Sequence, residues 1–257
     1  MLASHIPDYF LETGWKNPDD ANAGPFQYAS GIKHQNYFEA LSMQPYYQRA
    51  FNTVMSIPSR RSGKGWFEFF PVEEKLRVQN DSDVVLVDVG GGQGKDITAF
   101  HEHFPNIKGK LILQDLPVVI DEATTPSAIE VQGHDFFHEQ PVKGAKAYYL
   151  RTVIHDWPDK QAKKILGHIR DAMGSDSLLL LDEGLLPESN ISLRSATSDL
   201  MMMVTSGLER TKDHFESLLD ESGFELVNVW LPSKVDQGNS ETIVQQAALL
   251  EARVKSV

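Results

Sequence analysis

The chain has 257 residues, no cysteine and a formal net charge of −12. This length suffices for one large α/β domain with a sizeable core or for two small domains. The missing cysteines exclude disulfides, thiolate metal sites and cysteine nucleophiles, and the acidic balance disfavours a nucleic-acid partner because phosphate backbones carry the same sign of charge. The sequence has no secretion signal and no run of about 18 apolar residues, so we expect a cytoplasmic protein that does not enter a membrane.

The first predicted elements form a helical lead-in and connector over residues 1–65. Residues 1–30 are rich in glycine and proline and are expected to be irregular, with at most a short helix. Residues 36–57 carry apolar side chains at helical spacing, and Pro45 is expected to divide them into two helices. A polar turn follows over 58–65. The nearest approach to a basic patch lies in this turn and is interpreted as a solvent-exposed face: Arg60, Arg61 and Lys64.

From residue 84 onward, strands and helices alternate, which is typical of βαβ units in a parallel sheet. Strands are predicted near 84–89, 110–114, 128–132, 146–150, 177–182, 224–230 and 242–249. Helices are predicted near 93–103, 117–123, 158–173, 190–204 and 211–221. Because only a loop separates the last two strands, the sheet is predicted to end in an antiparallel pair. The predicted fold class is therefore α/β, Rossmann-like, with the main domain over 66–257.

The first predicted strand ends at an acid, Asp88, and continues into a turn that contains Gly90, Gly91, Gly92 and Gly94. Such a turn brings bare backbone close to a nucleotide-like ligand, although an ordinary glycine-rich turn is the alternative. A dinucleotide fingerprint would place its third glycine at position 95, which is lysine here. The acid-x-Gly-x-Gly-x-Gly spacing instead resembles motif I of the S-adenosylmethionine-dependent methyltransferases.

Polar residues also follow the next two predicted strands. Asp115, with Leu116 beside it, is placed to accept hydrogen bonds from ribose hydroxyls; the alternative is a cap for the helix that begins near Pro117. After the third strand, Asp135 is expected to meet the exocyclic amine of an adenine and Phe136 the face of its ring. These four positions extend the predicted cofactor site.

The segment after the fourth predicted strand reads Arg-Thr-Val-Ile-His-Asp-Trp-Pro-Asp over residues 151–159. It is similar to the histidine motif of the plant and fungal small-molecule O-methyltransferases of the caffeate type, and the resemblance runs from about Pro25 to the C-terminus. The resemblance implies that His155 is the general base. It also implies that Glu183, in an acid-x-x-x-Pro motif, and Glu209, in a Glu-Arg-Thr motif, orient that base.

The same resemblance implies further site residues and ligands. Arg151 stands where the family has a basic residue near the cofactor, and Met202 lies on a helix whose methionines flank the acceptor in the family. Asp156 and Trp157, next to the base, are expected at the substrate. The implied cofactor is S-adenosyl-L-methionine, and the implied partner is a small molecule with a phenolic or enolic hydroxyl.

The implied chemistry agrees with elementary acid–base arguments. A phenol has a pKa of about 10 and histidine one of about 6.5, so a nearby imidazole can take the hydroxyl proton. A carboxylate at one ring nitrogen fixes the tautomer and stabilises the imidazolium that forms. No metal is needed. The other histidines, including the pairs at 101 and 103 and at 134 and 138, are interpreted as solvated or structural because a third ligand is not close in sequence.

Two departures from the family keep other functions open. Family members begin with a helical winged domain that forms a dimer, whereas the first residues here resemble the connector that follows it, so a homodimer is possible but not implied. The family often has lysine where this chain has Leu208. The alternatives to methyl transfer are a ring-forming rearrangement that uses the sulfonium as a fixed charge, and a catalytically silent scaffold domain.

Overall fold

The computed structural model describes residues 2–55, 65–232 and 246–255. The α-helices of this part are α1 (Ile6–Thr13), α2 (Pro25–Ser30), α3 (Tyr37–Ser42), α4 (Pro45–Met55), α5 (Val72–Lys75), α6 (Lys95–His103), α7 (Pro117–Ile120), α8 (Asp159–Arg170), α9 (Leu193–Val204) and α10 (Lys212–Glu221). The strands are β1 (Val84–Val89), β2 (Lys110–Asp115), β3 (Ile129–Gly133), β4 (Ala147–Arg151), β5 (Leu178–Leu186), β6 (Arg210–Thr211), β7 (Phe224–Trp230) and β8 (Gln246–Val254). Short 3-10 helices lie at Leu2–His5, Trp66–Glu68 and Ile154–Asp156.

The strands form one eight-stranded sheet in the order β3-β2-β1-β4-β5-β8-β7, with β6 beside β5. Strands β1 to β6 pair in parallel, and β8 is antiparallel to both β5 and β7. The prediction of a mostly parallel sheet with an antiparallel terminal pair is therefore confirmed. The strand order reverses between β1 and β4, and in open sheets of this kind ligands bind at the carboxyl ends of the strands at that point.

Helices cover both faces of the sheet, which is why its central strands β1, β4 and β5 begin with continuous apolar runs before the polar residues that follow in each strand. On one face, Trp66 stacks on Phe100 of α6 at 5.4 Å between ring centroids and on Tyr149 of β4 at 5.0 Å. On the other face, Ile165 of α8 and Phe215 of α10 are fully buried. Because removing a buried aromatic side chain costs about 3–5 kcal/mol, these contacts fix the helices that carry the site.

The prediction that residues 1–30 are irregular is wrong, because α1 and α2 both lie in this segment. The residues that suggested loops are helix ends. Pro7 and Pro25 stand in the first turns of α1 and α2, and Gly14 and Gly31 end these helices with φ of +70°. Proline at the start and left-handed glycine at the end are the expected punctuation of helices.

The remaining boundaries differ in detail. Pro45 separates α3 from α4 as predicted, because it begins the second helix. The last strand continues to Val254, beyond the predicted end at 249, and the predicted part over 242–245 lies outside the described residues. The basic residues of the turn at 58–65 also lie outside them. Across the three described ranges, no helix is long and apolar enough to cross a membrane.

Candidate active site

The turn between β1 and α6 exposes bare backbone at the edge of the sheet. Gly90, Gly92 and Gly94 have φ of +72°, +60° and +76°, a region that side chains disfavour. A Cβ on Gly90 would lie 2.9 Å from Val153 Cγ2 and 3.5 Å from a ring carbon of Phe136, whereas a Cβ on Gly92 would meet nothing within 4 Å. The turn therefore needs glycine for packing at Gly90 and leaves open space in front of Gly92.

Two predicted acids lie at this turn. Asp88 is buried at the end of β1, and a Cβ on Gly91 would lie 2.5 Å from its Cγ. Asp115 ends β2, and its Oδ2 accepts a hydrogen bond of 2.8 Å from the Gly92 N–H while its Oδ1 accepts one of 2.7 Å from the Leu116 N–H. Burial raises the pKa of Asp115, and these two backbone hydrogen bonds oppose the shift. A carboxylate has about four acceptor positions, so Asp115 keeps capacity for ribose hydroxyls.

The structure contradicts the alternative that the Asp115 side chain caps helix α7. Leu116 is the N-cap residue of α7, and no side chain caps that end. The carboxylate of Asp115 instead ties the glycine turn to the end of β2.

The loop after β3 brings Phe136 against the glycine turn. Asp135 accepts a 2.9 Å hydrogen bond from the Phe137 N–H through Oδ1, and its Oδ2 lies 3.1 Å from His138 Nδ1. The Phe136 ring packs edge-on against Trp157, with 5.9 Å between centroids. Trp157, predicted at the substrate, is only 3% exposed and lies in the core. It therefore forms the wall behind Phe136.

The predicted base lies in the 3-10 helix that follows β4. His155 Nδ1 is 3.3 Å from Glu209 Oε2, and His155 Nε2 is 3.6 Å from Asp156 Oδ1. Glu183 was expected to orient the ring, but its Oε1 accepts a 2.9 Å hydrogen bond from the Ile154 N–H. Glu183 thus holds the backbone beside the base, and Glu209 meets the ring.

Burial and the neighbouring carboxylates set the protonation of this group. Burial alone would lower the pKa of His155, but Asp156, Glu209 and Glu183 together raise it to about 10. Burial raises the pKa of Asp156 to about 6 and that of Glu183 to about 7, although the charge of His155 lowers both. The three acids therefore favour the imidazolium form of His155.

Helix α9 and the residues after it support Glu209. The Ser198 hydroxyl donates a 3.1 Å hydrogen bond to Glu209 Oε1, and Asp199 Oδ1 accepts one of 3.0 Å from the Glu209 N–H. An open groove of about 760 Å³ runs along this helix, a volume typical of small-molecule sites. It is lined by Ser192, Leu193, Arg194, Thr197, Ser198, Met201 and Met202. Ser198 was missed in the sequence, although it lies four residues before Met202 and so on the same helix face.

Arg151, the last residue of β4, is held between an acid of α6 and an acid of β5. Its Nη1 donates a 2.8 Å hydrogen bond to Asp96 Oδ1 at the start of α6, and its Nε lies 3.5 Å from Asp182 Oδ2 in the middle of β5. The Tyr149 hydroxyl donates a 2.8 Å hydrogen bond to the same oxygen of Asp182. Arg151 therefore links the helix after the glycine turn to the strand that carries Glu183. Neither acid was singled out in the sequence.

These residues fit S-adenosylmethionine better than a metal or a dinucleotide. The open backbone at Gly92 and the carboxylate of Asp115 suit a nucleoside, and the acids around His155 suit a sulfonium. Within the described ranges, no group of three or more histidine, aspartate or glutamate side chains could hold a metal ion.

The curated relatives of this chain include fungal O-methyltransferases. O-methyltransferase mfmE of Annulohypoxylon moriforme is 36% identical over 94% of this chain and 60% of its own length. Demethylsterigmatocystin 6-O-methyltransferase of Aspergillus flavus is 34% identical over 95% of this chain and 61% of its own length. The chain thus spans about 60% of the length of these relatives.

Solved structures with a similar fold cover nearly all of the chain. The structure of LepI in complex with SAM has a TM-score of 0.87 and 30% identity, and covers 99% of this chain and 63% of that one. A structure described as a pericyclic reaction enzyme has a TM-score of 0.86 and 29% identity, and covers 99% of this chain and 64% of that one. The fold is that of the class I methyltransferases. The sequence model of a protein family described as O-methyltransferase domain matches residues 15–225, so the chain belongs to that family.

Proposed function

We propose that this chain is the catalytic part of an S-adenosylmethionine-dependent O-methyltransferase that methylates a hydroxyl of a small phenolic or enolic secondary metabolite. The observation that carries the proposal is the contact of His155 with Glu209, close to a glycine turn that can receive a nucleoside. The similarity to fungal O-methyltransferases supports the same reaction.

The residues that would hold the cofactor surround the glycine turn. The backbone of Gly90, Gly92 and Gly94 approaches the ligand, with Asp88 beneath the turn, and Asp115 and Leu116 receive the ribose. Asp135 and Phe136 lie on the adenine side, and Arg151 links Asp96 of the helix after the turn to Asp182 of β5. When bound, S-adenosylmethionine supplies an electrophilic methyl group on a positively charged sulfur.

The acceptor would enter along α9, where Met202 and Met201 line the groove. Methionine suits such a surface because its flexible side chain adapts to rings of different shape. Asp156 lies 3.6 Å from His155 Nε2, and Trp157 supports the wall behind Phe136. His155 takes the hydroxyl proton, and Glu209 stabilises the imidazolium through Nδ1.

His155 must be neutral before it can act as a base, yet its pKa in the free protein is raised to about 10. A positive charge bound nearby disfavours the imidazolium and lowers this pKa. The acids that raise the pKa also attract the cation that lowers it. Bound cofactor would thereby favour the neutral imidazole that the proposed reaction needs.

The test is release of S-adenosylhomocysteine from the purified chain with a panel of phenols and enols, for the native protein, His155→Ala and His101→Ala. We expect His155→Ala to abolish turnover while the Kd for S-adenosylmethionine stays within a few-fold. The control His101→Ala, on α6 away from the site, should retain turnover. Equal loss of cofactor binding in His155→Ala would contradict the assignment of the base.

A second candidate is favoured by one observation, the similarity to a pericyclic reaction enzyme. A rearrangement would consume an acceptor without releasing S-adenosylhomocysteine, so mass spectrometry of the same reactions separates it from methyl transfer. Binding of S-adenosylmethionine without conversion of any acceptor would instead favour a scaffold domain.

A further inference from the structure

A fully buried arginine lies beside the base and has no part in the proposed reaction. Arg210, in β6, is 0% exposed, and its guanidinium reaches the turn that carries His155. Its Nη1 donates a 2.9 Å hydrogen bond to the Ile154 carbonyl, and its Nη2 donates one of 2.8 Å to the Trp157 carbonyl. These two carbonyls stand on either side of His155 in the chain.

The residues before Arg210 hold the same turn. The Leu208 N–H donates a 2.8 Å hydrogen bond to the His155 carbonyl. A Cβ on Gly207 would lie 2.6 Å from that carbonyl oxygen and 3.1 Å from Asp156 Cα, so only glycine permits this approach. Residues 207–210, which we name the clamp, therefore bind three carbonyls of the turn at 154–157.

The guanidinium of Arg210 is itself fixed from the other side. Asp159 Oδ1, at the start of α8, accepts hydrogen bonds of 2.7 Å from Nη2 and 3.2 Å from Nε. The other oxygen of Asp159 lies 3.0 Å from His214 Nε2 on α10, and the Phe215 ring lies 5.7 Å from the guanidinium carbon. Because an unpaired buried charge is strongly destabilising, this pairing permits an arginine at 0% exposure.

We propose that Arg210 is a positioning residue for the general base, an inference that rests on the proposed function. Glu209, which meets the His155 ring, immediately precedes Arg210 in the clamp. The clamp therefore positions the carboxylate that contacts the His155 ring and also holds the backbone on either side of His155. Catalytic groups must be held within about 0.5 Å of their working geometry, and a planar guanidinium with several donors can fix two carbonyls at once in a way that lysine cannot.

The charges around the turn support a role beyond packing. Arg210 lowers the pKa of Glu183, which burial raises, so its charge reaches the acid that binds the Ile154 N–H. Among the described residues, the charged or titratable groups around the turn also include Asp156, Asp159, Asp199, Glu209, His214 and Tyr37.

The test compares Arg210→Lys with Arg170→Lys in the whole chain. Arg170 is the control because it also binds a carbonyl, that of Ser222, and a carboxylate, that of Asp171, but at the C-terminal end of α8, away from Asp159. Nitrogen NMR of labelled histidine, assigned with His155→Gln, gives the titration midpoint of His155, and calorimetry gives the Kd for S-adenosylmethionine. We expect Arg210→Lys to shift the midpoint by about half a pH unit or more with the Kd within about threefold, and Arg170→Lys to change neither.

An Arg210→Lys protein that folds and leaves both the midpoint and the chemical shifts of His155 unchanged would overturn the proposal. If Arg210→Lys does not fold, the same NMR measurement on Gly207→Ala tests the proposal. Its added methyl group would lie too close to the His155 carbonyl, and the substitution changes no charge. Native His155 signals in Gly207→Ala would overturn the clamp, and shifted signals would support it. The NMR readout needs no acceptor, so a failure to find methyl transfer would contradict the proposed function and leave this result standing.

Discussion

At the scale of single residues, the proposed reaction depends on the charge state of His155. In the free protein the three neighbouring acids favour the imidazolium, which cannot accept a proton. Two ligands of nearly the same shape can probe this, because S-adenosylmethionine carries a sulfonium and S-adenosylhomocysteine a neutral thioether. They differ by one positive charge.

We expect the titration midpoint of His155 to lie well above about 6.5 in the free protein and to fall when S-adenosylmethionine binds. The fall should exceed that caused by S-adenosylhomocysteine by about one pH unit or more, since a charge a few ångströms away in a protein is worth about this much. Because only neutral imidazole is a base, turnover should rise with pH up to the lowered pKa. Histidine NMR with each ligand measures the midpoints, and His101 provides an internal control. Equal titration midpoints of His155 with the two ligands would show that the sulfonium charge does not affect the protonation of His155.

The residue types of the site could be predicted from motifs, but their contacts could not. The sequence indicated His155, Glu183 and Glu209 as a trio around the ring. In the structure, Glu209 lies 3.3 Å from the ring, whereas Glu183 accepts a hydrogen bond from the backbone N–H of Ile154 and acts on the ring through its charge. Ser198 and Arg210 were missed because their roles arise from the approach of α9 and β6, which no local pattern reports.

At the scale of elements, the turn between β1 and α6 combines backbone strain with open space, and the chain offers a matched pair to separate them. Gly92 and Gly31 have φ of +60° and +70°, and a Cβ on either would meet nothing within 4 Å. Alanine at either position carries only the cost of the left-handed conformation, about 1–2 kcal/mol. If Gly92→Ala changes ligand binding and Gly31→Ala does not, the difference comes from contact between the added methyl group and the ligand.

We therefore expect Gly92→Ala and Gly31→Ala to lower the melting temperature by a similar few degrees. Only Gly92→Ala should weaken S-adenosylmethionine binding, by about tenfold or more, which corresponds to about 1.4 kcal/mol of binding free energy. The reason is that the new methyl group occupies space that the cofactor needs. Thermal unfolding and calorimetry of the two variants provide both numbers. Native affinity in Gly92→Ala would show that the cofactor does not approach this turn.

Element boundaries show where pattern reading succeeds and where it fails. The strands of the parallel sheet were predictable because both faces are buried and the apolar runs are continuous. Helix α4 was predictable as a helix, but its orientation was not. Gln48 and Asn52 are buried, whereas Tyr46 and Tyr47 are 73% and 58% exposed. The Asn52 amide donates to Glu122 after α7, so a tertiary contact outweighs the apolar pattern.

At the scale of the whole molecule, the net charge of −12 has a consequence for cofactor capture. S-adenosylmethionine carries a net charge of +1 near neutral pH and S-adenosylhomocysteine none, so the field of an acidic protein accelerates the approach of the first ligand only. Salt screens such a field over about 10 Å at 0.1 M.

We expect the association rate of S-adenosylmethionine to fall several-fold between about 0.05 M and about 0.5 M salt, and that of S-adenosylhomocysteine to change little. Stopped-flow fluorescence of the tryptophans, which include Trp157 behind the cofactor side, measures both rates on the same protein. Using two ligands on one protein controls for any effect of salt on the fold, because such an effect would slow both. The same salt dependence for the two ligands would mean that the acidic surface has no part in capture and that the acids around His155 act only after the cofactor has bound.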